Sequence, residues 1–203
     1  MPRIEQETQP LRKPQALKIL KAAQHLLAFE GYPMFSIRNV AKAAKVSVGA
    51  VQYHFKSREI LLEELLLYVT ELYEEQYARV NAKSYDSAED RFLGMIDFYL
   101  EDMSKPIRRG FFSQAWALAQ TEHFAERSME RSFARYRSAV ARILRDFMSG
   151  FSEAECEDSA AAIQSLIEGA QMSQVKRGRH LVLRARVKAI IREQAYMIAT
   201  RAG

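Results

Sequence analysis

SIRNVAKAAKVSVGAVQYHFKSR, Ser36 to Arg58, contains two short periodic runs separated by a break. In the first run Ile37, Val40, Ala41 and Ala44 stand at i, i+3, i+4 and i+7, one apolar face of a helix over Ile37–Ala44. Lys45–Val46–Ser47 makes the turn, a second short helix follows over Val48–His54, and a third begins at Ser57. Ser36 and Ser47 each stand where a hydroxyl can accept from the free N–H groups of a helix start. Two short capped helices joined by a three-residue turn form a helix-turn-helix, whose second helix can enter a major groove. The segment is therefore expected to read DNA, and the remainder of the chain to control it.

On the N-terminal side, a helix is expected from Pro14 or Gln15 to Glu30, with Ile19, Ala22, Ala23, Leu26 and Leu27 on one face. Gly31 stops it at the position where a left-handed residue ends a helix. Residues 1–13 read as a flexible polar arm: a frayed end, or an arm using Arg3, Arg12 and Lys13 against the minor groove or phosphates. On the other side, a helix runs from Ser57 to about Val80. At ~1.5 Å per residue it spans roughly 35 Å, and no flexible linker separates it from the helix-turn-helix. Further helices are expected at Ala88–Met103, Ile107–Gln120, Glu122–Met148, Ser152–Lys176 and Leu181–Thr200, with a basic turn at Lys176–His180. No segment alternates with strand period. The chain is expected to be all-α, with about nine helices and no internal repeat.

Charge points the same way. The net charge is +5, but residues 1–60 hold ten Lys and Arg against four Glu, while the rest is nearly balanced. Phosphate binding with counterion release would use a basic excess at that end. A single cysteine, Cys156, excludes a disulfide framework and a Cys-rich metal site. With no signal-like N-terminus and no run of about 18 apolar residues, a cytoplasmic protein without membrane insertion is expected. The isolated histidines His25, His123 and His180 have no ligand-type partner four residues away, so no metal is expected. Nor is any other cofactor. No nucleophile–base pair or phosphate loop supports an enzyme.

Ile19–Leu66 resembles the DNA-binding region of the TetR family of bacterial transcriptional regulators. The resemblance rests on an Ala-Ala pair in the first helix, Phe-x-Gly-Tyr after it, Ser-Ile-x-x-Val-Ala, and Val-Ser-x-Gly-x-Val-x-x-His-Phe-x-Ser-Arg-Glu. It implies an N-terminal three-helix DNA-binding domain, here residues 14–56, followed by a helical effector-binding and dimerisation domain, residues 57–203. It implies a homodimer on double-stranded DNA with a palindromic operator, most often a repressor released by a small-molecule ligand. Carried over by position, Ser36 and Arg38 match phosphate contacts. Ser47, Val48, Gly49 and Ala50 match the start of the recognition helix, and Gln52, Tyr53 and His54 match base or backbone contacts. Lys56 and Arg58 match phosphate anchors. Lys45 replaces the usual turn glycine, Ala50 the usual threonine and Gln52 a tyrosine, so these three are expected to carry this chain's own specificity.

The central helices are rich in large adaptable side chains. Phe92, Met95, Tyr99, Met103, Phe112, Trp116 and Phe133 could all be core. With Gln120, Gln164 and Gln171 as polar partners they also suit a pocket for an apolar or amphipathic effector. The last two helices offer apolar faces at Ile163 and Ile167 and at Leu183, Val187, Ile190 and Ile191, and the resemblance implies that they form the dimer interface. The competing reading is a dimeric helical ligand-binding or partner-binding module whose DNA role has been lost, motivated by Lys45, Ala50 and Gln52.

Overall fold

The computed structural model describes residues 12–148, 150–172 and 185–200. Among them nine α-helices follow in order: α1 Pro14–Glu30, α2 Ile37–Ala44, α3 Val48–His54, α4 Arg58–Asn81, α5 Ala88–Ser104, α6 Pro106–Ala119, α7 His123–Phe147, α8 Glu153–Met172 and α9 Ala185–Thr200. One 3-10 turn, Tyr32–Met34, joins α1 to α2, and no strand occurs among the described residues. Most of the arm, the basic turn at Lys176–His180, and Leu183 lie outside the described residues.

The starts of α2 to α5 are set by hydroxyls. Ser36, Ser47, Ser57 and Ser87 each accept from the backbone N–H three residues on, at 3.2, 3.1, 3.2 and 3.0 Å. Each such cap is worth about 1 kcal/mol. Gly31 ends α1 at φ 82°, its N–H bonded to the Leu27 carbonyl. Lys45 ends α2 in the left-handed region, φ 54° and ψ 51°. It takes the glycine-like backbone itself, and the turn keeps its shape.

Two apolar clusters hold the chain together. The first joins α1, α2, α3 and the front half of α4 through Ile19, Leu27, Val40, Val51, Leu62 and Leu65. It does not stop there, because Phe111, Ala115 and Leu118 of α6 and Ala125 and Met129 of α7 belong to it as well. The second gathers α5, the back half of α7, α8 and α9 around Phe92, Ile96, Leu144, Ile163 and Ala195. α6 is pressed onto α1 at Gly110, where a Cβ would lie 2.2 Å from the Ala28 carbonyl oxygen. Only glycine allows that approach.

Candidate nucleic-acid interface and effector cavity

α3 presents a one-sided surface. Val51 is fully buried and Phe55, just beyond the helix, is nearly so, anchoring it to the first core. Val48, Gly49, Gln52 and Tyr53 are exposed, Tyr53 to 65%. Around them Arg38, Lys42, Lys45 and Lys56 are exposed cations, and Lys13 reaches over the Tyr53 ring at 5.5 Å. The Ser36 and Ser47 hydroxyls are committed to their caps as acceptors, which leaves their O–H hydrogens to donate outward. His54 pairs with Gln15 Oε1 at 3.1 Å. Arg58 turns inward: its guanidinium donates to the Tyr32 carbonyl at 3.0 Å and stacks on the Tyr32 ring at 4.0 Å. Arg12, the first described residue, is paired with Glu71 and Glu64 of α4.

Behind this end, α4 to α8 enclose a cavity of about 160 Å³ with aromatic walls from Tyr77, Tyr99, Phe112, Trp116, Phe133 and Tyr136. Its charged floor is Arg108, which is buried and stacks on Tyr73 at 3.7 Å and Phe112 at 4.8 Å. Arg108 pairs with buried Asp102 at 2.9 Å and donates to the Tyr77 hydroxyl. Burial opposes the guanidinium charge, but Tyr77, Asp102 and Tyr73 outweigh it and hold its pKa above the usual arginine value. Burial also pushes the Tyr77 phenol up to about 12. On α8, Glu168 lines the cavity and accepts from Gln164 Nε2 at 2.7 Å. Burial raises its carboxyl pKa, against the lowering effects of Gln164, Arg108 and Arg137. The Tyr99 and Tyr136 hydroxyls are buried without a hydrogen-bond partner. No group of three or more His, Cys, Asp or Glu could hold a metal among the described residues.

The family model for the DNA-binding region of bacterial regulatory proteins of the tetR family matches residues 19–65. A second model, BetI-type transcriptional repressor, C-terminal, matches residues 88–198, more than half of the chain. The chain belongs to the TetR family. Among solved structures this TetR-family chain is similar to a TetR transcription regulator from Haloarcula marismortui ATCC 43049, at 18% identity over 91% of this chain and 96% of that one, with TM-score 0.75. It is also similar to a candidate transcriptional regulator from Saccharomonospora viridis in complex with choline, at 20% identity over 90% and 93%, TM-score 0.69. A candidate fatty acid metabolism regulator from Clostridium perfringens aligns at 19% identity over 90% and 96%, TM-score 0.68. At such identities these likenesses show the fold alone. No curated protein matches the chain. The chain is a DNA-binding transcriptional regulator of the TetR family, and no helix among its described residues is long and apolar enough to cross a membrane.

Within the TetR framework, the structure brings some expected site residues together and separates others. Tyr99, Met103, Phe112, Trp116 and Phe133 line the cavity. Phe92 and Met95 lie in the second core, away from it, and Gln120 lines an outer cleft next to it. Gln171 belongs to α8, its side chain outside the described ones. Of the residues expected at a dimer interface, Ile163, Ile167 and Ile191 are buried inside the protomer, and Ile167 lines the cavity. Val187 packs against the second core and Ile190 is 47% exposed. Sequence reasoning missed Asp102, Arg108, Tyr136 and Glu168. The signal was spacing: Arg108, Phe112 and Trp116 are four residues apart, as are Gln164, Glu168 and Met172, so each charge shares a face with cavity residues.

Proposed function

We propose that this TetR-family regulator is a homodimeric repressor that a small apolar or amphipathic effector releases from a palindromic operator. The observation that carries this reading is the double placement of α6. One side supplies Arg108, Phe112 and Trp116 to the cavity. Its other side meets the DNA-binding end through Gly110 on Ala28, Phe111 in the first core and Gln114, whose Oε1 accepts from the Tyr32 N–H at 3.0 Å. A ligand that favours one α6 position therefore favours one position of α1, and with it of α2 and α3. Two recognition helices held about 34–36 Å apart match successive half-sites, and a modest displacement spoils that match.

A homodimer is typical of the family, which supports the dimer, and exposed Ile190 and Met197 on α9 offer apolar surface for it. One structural neighbour is in complex with choline and another is named for fatty acid metabolism, so likeness leaves the ligand open and the cavity must decide it. Arg38, Lys45 and Lys56 serve as direct phosphate contacts. Arg58 acts by holding Tyr32 and the start of α4 in place.

The test is selection of genomic fragments by the purified protein, then titration of the selected site across salt concentrations. Arg38→Ala and Lys56→Ala should each flatten the slope of log affinity against log salt by about one phosphate's contribution. Arg58→Ala should weaken binding and lower thermal stability together. Failure to enrich any sequence would favour the ligand-module reading with no DNA role.

A further inference from the structure

The charges around the cavity do not balance. Although its Nη1 has no hydrogen-bond partner, Arg108 is ion-paired from within: Asp102 lies 2.9 Å away, the Tyr77 hydroxyl takes one N–H, and Tyr73 and Phe112 cover its face. Glu168 is not. Its described contact is the neutral Gln164 amide, and no ion pair to it is found among the described residues. A partly desolvated carboxylate without a cation is a costly arrangement unless something completes it. Beside it are two phenol hydroxyls able to accept, of which the Tyr99 one also faces the Tyr77 hydroxyl. Tyr99 and Tyr136 meet edge to face at 4.3 Å, and both hydroxyls are buried without a hydrogen-bond partner. A cationic N–H donor on a ligand would pair with Glu168 as no described residue does.

We propose that the effector is a compact protonated amine whose ammonium donates to Glu168 and the Tyr99 and Tyr136 hydroxyls, with one ring or a short alkyl chain in the aromatic cavity. The proposal rests on the reading of this cavity as the effector site. Size supports it: a closed apolar cavity of about 150 Å³ accommodates benzene, and this one measures about 160 Å³. Trp116 and Phe133 in the cavity wall add aromatic surface that a cation can approach. Two other cations bear on Glu168, Arg108 and Arg137. Asp102 offsets the first, and the second lies on α7, partly exposed. The approach is also favourable, since the outer cleft that shares Trp116 and Phe133 with the cavity carries Glu122, Glu126 and Glu130. A carboxylate would meet Glu168 with like charge, and a neutral ligand would leave it uncompensated.

Trp116 is the chain's single tryptophan and stands in the cavity wall, so its fluorescence reports occupancy directly. Four probes that share a phenylethyl body should be titrated: phenethylamine, N,N,N-trimethylphenethylammonium, phenethyl alcohol and 3-phenylpropionate. Phenethylamine should bind about ten-fold or more tighter than the alcohol, in line with a hydrogen bond to a charged group, and 3-phenylpropionate weakest. Glu168→Gln should bring the amine down to the alcohol's level while leaving the alcohol unchanged. Tyr136→Phe, which removes only a hydroxyl, should weaken the amine several-fold, with circular dichroism confirming that both variants fold. Tightest binding by the carboxylate or the alcohol, or an unchanged amine-to-alcohol ratio in Glu168→Gln, would overturn the amine assignment. Equal binding of the quaternary analogue would overturn the N–H requirement. Silence from all four would instead overturn the reading of this cavity as the effector site.

Discussion

Lys45 is the one non-glycine with positive φ among the described residues, at 54°. A side chain there costs about 1–2 kcal/mol of crowding against the backbone. Glycine would remove that cost but return about 0.5–1 kcal/mol through the entropy of the unfolded chain. Lys45→Gly should therefore gain up to about 1 kcal/mol, and Lys45→Ile should lose at least that, since β-branching worsens the clash. Urea unfolding with an unchanged slope would measure both, and a less stable Lys45→Gly would contradict the account. The retention of lysine in that conformation suits a charge held at the tip of the helix-turn-helix. At this scale the sequence was only partly legible. The caps Ser36, Ser47 and Ser57 could be read because hydroxyls at helix starts have one strong use. Arg58 could not: its exposure and its preference for Tyr32 depend on where the 3-10 turn brings that ring.

Among the helices, α6 has the most to do. It carries cavity residues on one face and rests on α1 on the other, with Gly110 at the tightest point. Gly110→Ala should force the two helices apart and destabilise the protein by about 1–3 kcal/mol, as overpacking does. It should also change operator affinity, because α1 carries the displacement into α2 and α3. Thermal melts and operator titrations should move together, and an unaltered value in both would refute the close-approach argument. The helices were legible because apolar residues recur at helical spacing and serine, proline and glycine mark the ends. The cavity was less so, for a reason visible within α5. Phe92, Met95 and Tyr99 continue one stripe and all three are in the second core, yet only Tyr99 also borders the cavity. Periodicity tells which face turns inward but not where the facing helices leave a gap. Arg108 and Glu168 were lost for a related reason, since a charge in a helix normally faces water and only the closed bundle shows Arg108 buried and Glu168 half-buried beside the cavity.

For the molecule as a whole, the two apolar faces expected at a dimer interface are only partly exposed. Ile163, Ile167 and Ile191 are consumed by the protomer, while Ile190 and Met197 remain exposed. Ile190→Glu with Met197→Glu should shift sedimentation from dimer to monomer with little change in helical content, because neither side chain supports the protomer core. Operator affinity should fall with it, since each half-site would then bind alone. A wild-type protein sedimenting as a monomer at micromolar concentration would defeat the homodimer proposal.

The first core has one more consequence. Because Phe111, Ala115, Leu118, Ala125 and Met129 complete the packing of α1 to α4, the DNA-reading end has no hydrophobic boundary at which it could melt alone. Burying one such large side chain contributes about 1.5–3 kcal/mol, so severing the chain before α6 would leave the recognition helix without much of its support. The DNA-reading end is thus expected to unfold together with α6 and the start of α7 as one cooperative unit. A molecule that binds only the folded form raises the melting temperature of such a unit as a whole, so the heat resistance of α3 becomes a gauge of what occupies a cavity it never touches.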